Sequence, residues 1–370
     1  MHQVCYYAIP RQESGDPSVR DLSVDDIDPF LCTHIVVAFA AIVKNEIIPQ
    51  DEKDTQVYKE VIALKKKNPK LKVLLSLGGS SPNPGYSDLV RDPVAISLFS
   101  SKAREFLLSY GFDGLDLDWE FPAWPVLRSD YRERRWFTQL VRQLDYDFKL
   151  MSPTPLLLSI AVAAPKTIID VSYEVDQLAE FVDFVSLMSY DYHIFWAYLP
   201  FTGYNSPLAK RRTEKCYFAT LNIQWSADYW LRKGMPKEKL VIGVPTYGRS
   251  WKLIRGSWCS VGSPAIGEGI SRGTLSYPEA YFFVQEGAKY FFDEESRVPY
   301  AVRGRDWVSY DDAKSIKEKT QWIKDSGFAG VMTWNLNCDD WAGVCSGKKF
   351  ELHNIIKDIL FESEPVESTD

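Results

Sequence analysis

The chain has 370 residues, 45% of them apolar and 14% aromatic, which is enough to fill one large core. Its formal net charge of −7 argues against nucleic acid or an acidic membrane surface as a partner, since both reward basic patches. No apolar run reaches the ~20 residues needed to cross a bilayer, and the 12 tryptophans call for a surface groove in which flat rings with a polar edge are useful.

In chain order, short apolar runs alternate with stretches of helical spacing. Strands are predicted over 4–8, 34–42, 72–79, 115–120, 156–164, 182–192, 240–247 and 328–336. Helices are predicted over 53–67, 93–110, 130–150, 173–181, 228–233, 309–326 and 349–361. Eight strands, most of them followed by a helix, are the pattern of a (β/α)8 barrel of the TIM type within a domain spanning 1–361. The interval of about 250–307 is too long for a simple connection. It is rich in glycine and aromatics, with short alternating runs at 281–284 and 289–292, so a small α+β insertion after the seventh strand is expected. Residues 362–370 are acidic and polar, the composition of a disordered tail or a linker.

The densest chemistry lies in the fourth strand. Asp116, Asp118 and Glu120 stand at every second position, with Leu115, Leu117 and Trp119 between them. Alternation at that period puts the acids on one face of a strand and the apolar groups on the other. Like charges that close cannot all ionise cheaply, so at least one is expected to hold a proton near neutral pH, as a general acid must. A Ca²⁺ or Mg²⁺ site would bring carbonyl or amide ligands from a loop, and none stands beside these acids. A purely structural network of three acids, with no basic residue between Tyr110 and Trp124, would be costly. The ends of the other strands supply aromatics around a few polar groups: Tyr6, Phe39, Met188, Tyr190, Asp191, Tyr247, Arg249 and Trp334. Such a ring suits stacking on a carbohydrate with fixed hydroxyl contacts.

The run Asp113-Gly-Leu-Asp-Leu-Asp-Trp-Glu120 resembles the signature of glycoside hydrolase family 18, the chitinases and chitinase-like lectins. Further segments are similar to family motifs: Ser76 to Gly79 with its paired Gly78 and Gly79, Met188 to Asp191, Tyr247 to Arg249, and Trp334. The resemblance implies a barrel enzyme that needs no cofactor or metal and cleaves β-1,4-linked N-acetylglucosamine with retention, the substrate's own acetamide acting as nucleophile. In that scheme Glu120 protonates the glycosidic oxygen, and Asp118 orients the acetamide. Asp116 sits behind Asp118 and shares its proton, Tyr190 donates to the acetamide, and Trp334 floors the sugar. Tyr6, Phe39, Trp119, Met188, Asp191, Tyr247 and Arg249 are expected to bind substrate, and Trp196 to contact the leaving side. Asp113, Ser76, Gly78 and Gly79 are expected to be structural.

The resemblance also implies a Cys5–Cys32 disulfide, which would join the first strand to the opening of the second. It leaves Cys216, Cys259, Cys338 and Cys345 open, because Tyr281 stands where the partner of Cys345 is expected and Cys259 is the substitute. A disulfide implies an exported protein. No apolar leader precedes Cys5, so Met1 is expected to be a start placed on a mature or shortened chain. The chain departs from the family pattern at Ser80, where chitinases commonly carry tryptophan, and at Ala123-Trp124-Pro125, where Trp124 is expected to supply a leaving-side contact. Family lectins usually lack the glutamate that Glu120 supplies here, so hydrolysis of chitin or chito-oligosaccharides by a monomer is expected ahead of binding alone. A third reading, trimming of N-glycan cores, shares the acids but not the rest of the pattern.

Overall fold

The computed structural model describes residues 1–11, 21–80, 85–152 and 154–361. The expectation for 362–370 therefore lies outside the described residues.

Eight parallel strands close into a barrel: β1 (His2–Ala8), β2 (His34–Val43), β3 (Lys72–Gly79), β4 (Gly114–Trp119), β5 (Leu157–Ala163), β6 (Phe184–Met188), β7 (Leu240–Pro245) and β8 (Gly330–Trp334). Each pairs with its neighbours in sequence order, and β1 pairs with both β8 and β2, which closes the ring. Val4, Tyr6, Val36, Leu74, Phe184, Val241 and Met332 fill the interior. The other faces of the strands pack against the surrounding helices in one continuous outer core. The near-continuous burial of β3, β4 and β7 is what parallel strands covered on both faces require.

The helices start where the sequence offers caps. The helix Pro93–Tyr110 begins at Asp92, whose side chain accepts from the Val94 N–H, with Pro93 in the first turn, and it ends at Gly111 in the left-handed region. The stretch 53–67 divides into an α-helix, Asp54–Ala63, and a 3₁₀ turn, Leu64–Lys66. The helix predicted from 228 begins earlier, at Ile223, because the Asn222 side chain caps it by accepting from Trp225. A short helix at Lys166–Ser172 had no clear signal. Strand six is shorter than predicted, and strand seven ends at Pro245.

Tyr247 opens a second sheet instead of extending the barrel. Antiparallel strands Tyr247–Leu253, Ala265–Glu268, Thr274–Ser276, Lys289–Asp293, Val298–Arg303 and Asp306–Ser309 form it, with the helix Tyr277–Gln285 alongside. The run 281–284 lies inside that helix. Its start is a capping box, in which Ser276 and Glu279 satisfy each other's backbone N–H groups, a local signal that outweighs four residues of alternation.

Cys5 and Cys32 form a disulfide with a Cα–Cα distance of 6.2 Å. Cys216, Cys259, Cys338 and Cys345 are free thiols, so Cys259 does not substitute as a partner for Cys345. The bridge spans 27 residues of sequence. Replacing both cysteines by alanine is expected to lower the unfolding free energy by about 3–4 kcal/mol, from loop-closure entropy in the denatured chain. The check is the unfolding free energy from denaturant titration with the m-value fitted separately for each protein; a loss under about 1 kcal/mol would show that the denatured chain does not feel the crosslink.

Candidate active site

The register of three strands builds the base of the site. Ser76 on β3, Asp116 on β4 and Ser159 on β5 stand side by side in the hydrogen-bonded ladder. β4 can lie this close to β5 because Gly114 has no Cβ; one would fall 2.3 Å from the Leu157 carbonyl oxygen. Alternation turns Asp116 and Asp118 into the barrel, while Leu115, Leu117 and Trp119 join the outer core. Asp116 is fully buried and takes three hydroxyl donors. Tyr6 Oη (2.8 Å) and Ser76 Oγ (2.7 Å) donate to Oδ2, and Ser159 Oγ (2.7 Å) donates to Oδ1. Burial pushes its proton affinity up and the three hydroxyls pull it back, with burial prevailing.

Asp118 has no such support. Its Oδ1 is buried and has no hydrogen-bond partner among the described residues. Burial, then Glu120, then Asp116 push its carboxyl well above the usual range. Among the described residues no hydrogen bond links the Asp116 and Asp118 carboxyls, whereas three hydroxyls donate to Asp116. Gly78 is required beside this strand: its φ is +106°, and a Cβ would lie 2.1 Å from the Asp118 carbonyl oxygen. Gly79, at φ +73°, likewise leaves room for the Phe39 ring.

Glu120 ends the series at the mouth of the barrel. One side of its side chain opens to the cavity and protein crowds the other, so burial, followed by the charge of Asp191, pushes its carboxyl up to about 7. It can thus hold a proton at neutral pH and release it without a large penalty.

Asp118 and Glu120 face a cavity of about 330 Å³ at the C-terminal ends of the strands, where barrel enzymes carry their sites. Phe39 stacks on Trp334 at 5.5 Å between ring centroids, and Tyr6 leans on the same indole at 5.6 Å. The Thr246 hydroxyl and N–H on the strand-seven side tie down the Trp334 carbonyl. Met188 and Tyr190 line the opposite wall. Burial, reinforced by Asp118 and Glu120, keeps the Tyr190 phenol protonated at any ordinary pH, so it remains a donor, resting 3.8 Å from the Met332 sulfur. The insertion sheet contributes Tyr247, Arg249 and Thr274. Arg249 grips Asp191 with two hydrogen bonds, Nε to Oδ1 at 2.7 Å and Nη2 to Oδ2 at 2.6 Å, and its guanidinium lies over the Tyr247 ring. No three His, Cys, Asp or Glu side chains among the described residues are arranged to hold a metal ion.

Sequence reasoning placed some groups wrongly. Trp119 does not face the cavity; it stacks on Tyr86 at 5.0 Å and packs edge-on against Phe137, between barrel and helices. Trp196 is 61% exposed and lines a separate hollow with Pro165, Tyr192 and Phe218. Trp124 is not among the groups lining the cavity. Asp113 lies at the start of β4, where it accepts from the Val73 N–H and pairs with Lys65 and Lys72. Ser159, Thr246, Asn205, Thr274 and Cys338 were missed. Ser159 had a signal, a lone hydroxyl in an apolar strand; the others had none within their own segments.

Residues 2–339 match the model of the glycosyl hydrolases family 18. Human chitinase-3-like protein 2 is 37% identical over 96% of this chain and 91% of its own. Mouse chitotriosidase-1 is 39% identical over 86% of this chain and 69% of its own. The structure of human YKL-39, described as a pseudo-chitinase with retained chitooligosaccharide binding, superposes with a TM-score of 0.90 at 36% identity, covering 98% of this chain and all of the other. The Group IV chitinase of Ostrinia furnacalis superposes with a TM-score of 0.89 at 33% identity, covering 98% of this chain and all of the other. With its model matched across the acid-bearing strand and nearly the whole barrel, the chain belongs to glycoside hydrolase family 18.

Proposed function

We propose that the chain is a chitinase, hydrolysing β-1,4-linked N-acetylglucosamine with retention through the substrate's own acetamide. The observation that carries this reading is the pair Asp118 and Glu120. One is a buried carboxyl with an unpartnered oxygen, the other a carboxyl titrating near 7 at the cavity mouth. Together they offer an acceptor for an acetamide N–H and a proton for a leaving oxygen.

The steps follow from those positions. A sugar on Trp334 places its acetamide over Asp118. Asp118 accepts from the amide N–H while Tyr190 donates to the amide oxygen, which then attacks C1. Glu120 gives its proton to the glycosidic oxygen as the C1–O bond breaks, leaving a cyclic oxazolinium held over Asp118. Glu120, now a carboxylate, takes a proton from water, and that water opens the ring at C1 on the face the leaving group vacated. Two displacements at one carbon give net retention, with no enzyme carboxylate bonded to sugar.

Binding without turnover is the second reading, because a relative as similar as YKL-39 is described as a pseudo-chitinase. Glu120 favours hydrolysis. Ser80 lines the cavity where the family commonly places a flat ring, which favours short oligomers over long chains. The Cys5–Cys32 disulfide supports an exported protein. The residues of this scheme come from one chain, and we propose that it acts as a monomer.

Glu120→Gln is expected to lower kcat on defined N-acetylglucosamine oligomers by about a hundred- to ten-thousand-fold while oligomer affinity stays within a few-fold. Measured turnover of wild type and variant decides it, and equal rates would remove Glu120 from its role. The pH profile follows from the direction of the shift. Below about 7 Glu120 carries its proton and can donate; above, it is ionised. The rate is thus expected to fall on the alkaline side by about tenfold per pH unit once past that midpoint. A profile flat from pH 6 to pH 9 would contradict this assignment.

A further inference from the structure

We infer that Asn205, a buried side chain with no part in the chemistry, is the positioning residue that fixes the Asp191–Arg249 pair opposite Glu120 and joins it to the insertion. The inference rests on the functional reading only for what the positioning serves; the geometry stands by itself.

Asp191 follows β6 and has a φ of +56°, the left-handed region that a residue with a Cβ rarely adopts unless something holds it there. Asn205 does so. Its Oδ1 accepts from the Asp191 N–H at 2.9 Å, and its own carbonyl accepts from the Tyr192 N–H at 3.1 Å. The rest of its bonds leave the barrel. Nδ2 donates to the Tyr247 carbonyl at 3.2 Å, and the backbone N–H donates to Ser309 Oγ at 3.0 Å. Tyr247 opens the insertion sheet and Ser309 closes it, so one residue, through its side-chain amide to the first strand and its backbone N–H to the last, binds that sheet to the end of β6. The orientation of the amide follows from its partners, since an N–H must meet oxygen and a carbonyl must meet nitrogen. Asn205 is only 1% exposed, so a lost partner is not replaced by water at no cost.

The consequence falls on Glu120. The groups that face it are Asp118 from its own strand, Asp191 and Tyr190 from the end of β6, and Tyr173 from beyond β5, with Arg249 on the far side of Asp191. Asp191 is the charge that adds to burial in raising the Glu120 carboxyl. Release of Asp191 from its backbone geometry moves that anion away and leaves Arg249 free to approach. Both changes favour ionised Glu120.

The test is a ¹³C-carboxylate NMR titration of glutamate-labelled protein, with Glu120→Gln assigning the resonance. Asn205→Ala is expected to lower the Glu120 midpoint by about half a pH unit, a threefold loss of proton affinity. Ser206→Ala removes only a hydroxyl bond to the Ser189 carbonyl and is expected to leave the midpoint in place. An Asn205→Ala variant that folds, as judged by its circular dichroism, yet titrates like wild type would overturn the inference. So would an equal shift in Ser206→Ala, since loosening would then be general. If Asn205→Ala does not fold, Ser309→Ala is read in the same way, with a smaller downward shift expected and no shift counting against the role. Because the readout is titration and not turnover, a wild-type chain inert toward chito-oligosaccharides would sink the functional reading while leaving this result to decide the role of Asn205.

Discussion

Three carboxyls two residues apart on one strand cannot share a barrel interior as three anions, and the rest of the site is organised around how that conflict is resolved. The resolution differs at each position. Asp116 lies deepest and is given donors, with hydroxyls from β1, β3 and β5 converging on its two oxygens. Asp118, one step outward, has an oxygen with nothing to bond, so burial favours its neutral form. Glu120 reaches the opening, where partial solvation lets it titrate near 7. Proton affinity is thus set position by position along β4, by burial, by what the neighbouring strands offer each carboxyl and by the carboxyls' own repulsion.

This arrangement needs a frame that cannot relax. Gly78 and Gly114 let β3, β4 and β5 approach where any side chain would collide with a carbonyl. Across the barrel, Trp334 is clamped by Phe39 on its face and by Thr246 through its carbonyl, so the floor of the cavity is set by two other strands. The insertion is tied in the same manner at its first and last strands. Its Arg249 holds Asp191, and Asp191 in turn bears on Glu120. A wall remote from β4 in sequence therefore takes part in setting the acid at its end.

The alternation of β4 was legible because it is a local pattern with one structural solution: acids on one face, Leu115, Leu117 and Trp119 on the other. The same alternation already assigns Trp119 to the outer face, and its place between Tyr86 and Phe137 shows that a residue inside a family signature need not touch what the signature binds. Trp196 stands over a separate hollow, and as a loop residue it has no period to aim it. The insertion was visible as a composition but not as a boundary. Tyr247 continues an apolar run, and only pairing with Ser276 and Trp251's partner strand shows that it starts a new sheet. Asn205 and Thr246 were illegible because their bonds run to segments as far as 104 residues away, and a lone polar residue carries no mark of such distances.

On the proposed reading, the unpartnered Asp118 oxygen also explains why an N-acetyl group should matter before any bond is broken. A buried acceptor that no donor serves costs about 1–3 kcal/mol. An acetamide N–H removes that cost on binding; a hydroxyl at the same carbon is shorter and leaves the Asp118 oxygen unserved or only poorly served. Asp116 is meanwhile supplied from within the protein, its oxygens accepting from Tyr6, Ser76 and Ser159. The hydroxyls around Asp116 and the unpartnered oxygen of Asp118 are then two halves of one device. By satisfying the inner acid within the protein, the barrel reserves the outer one for the substrate's amide.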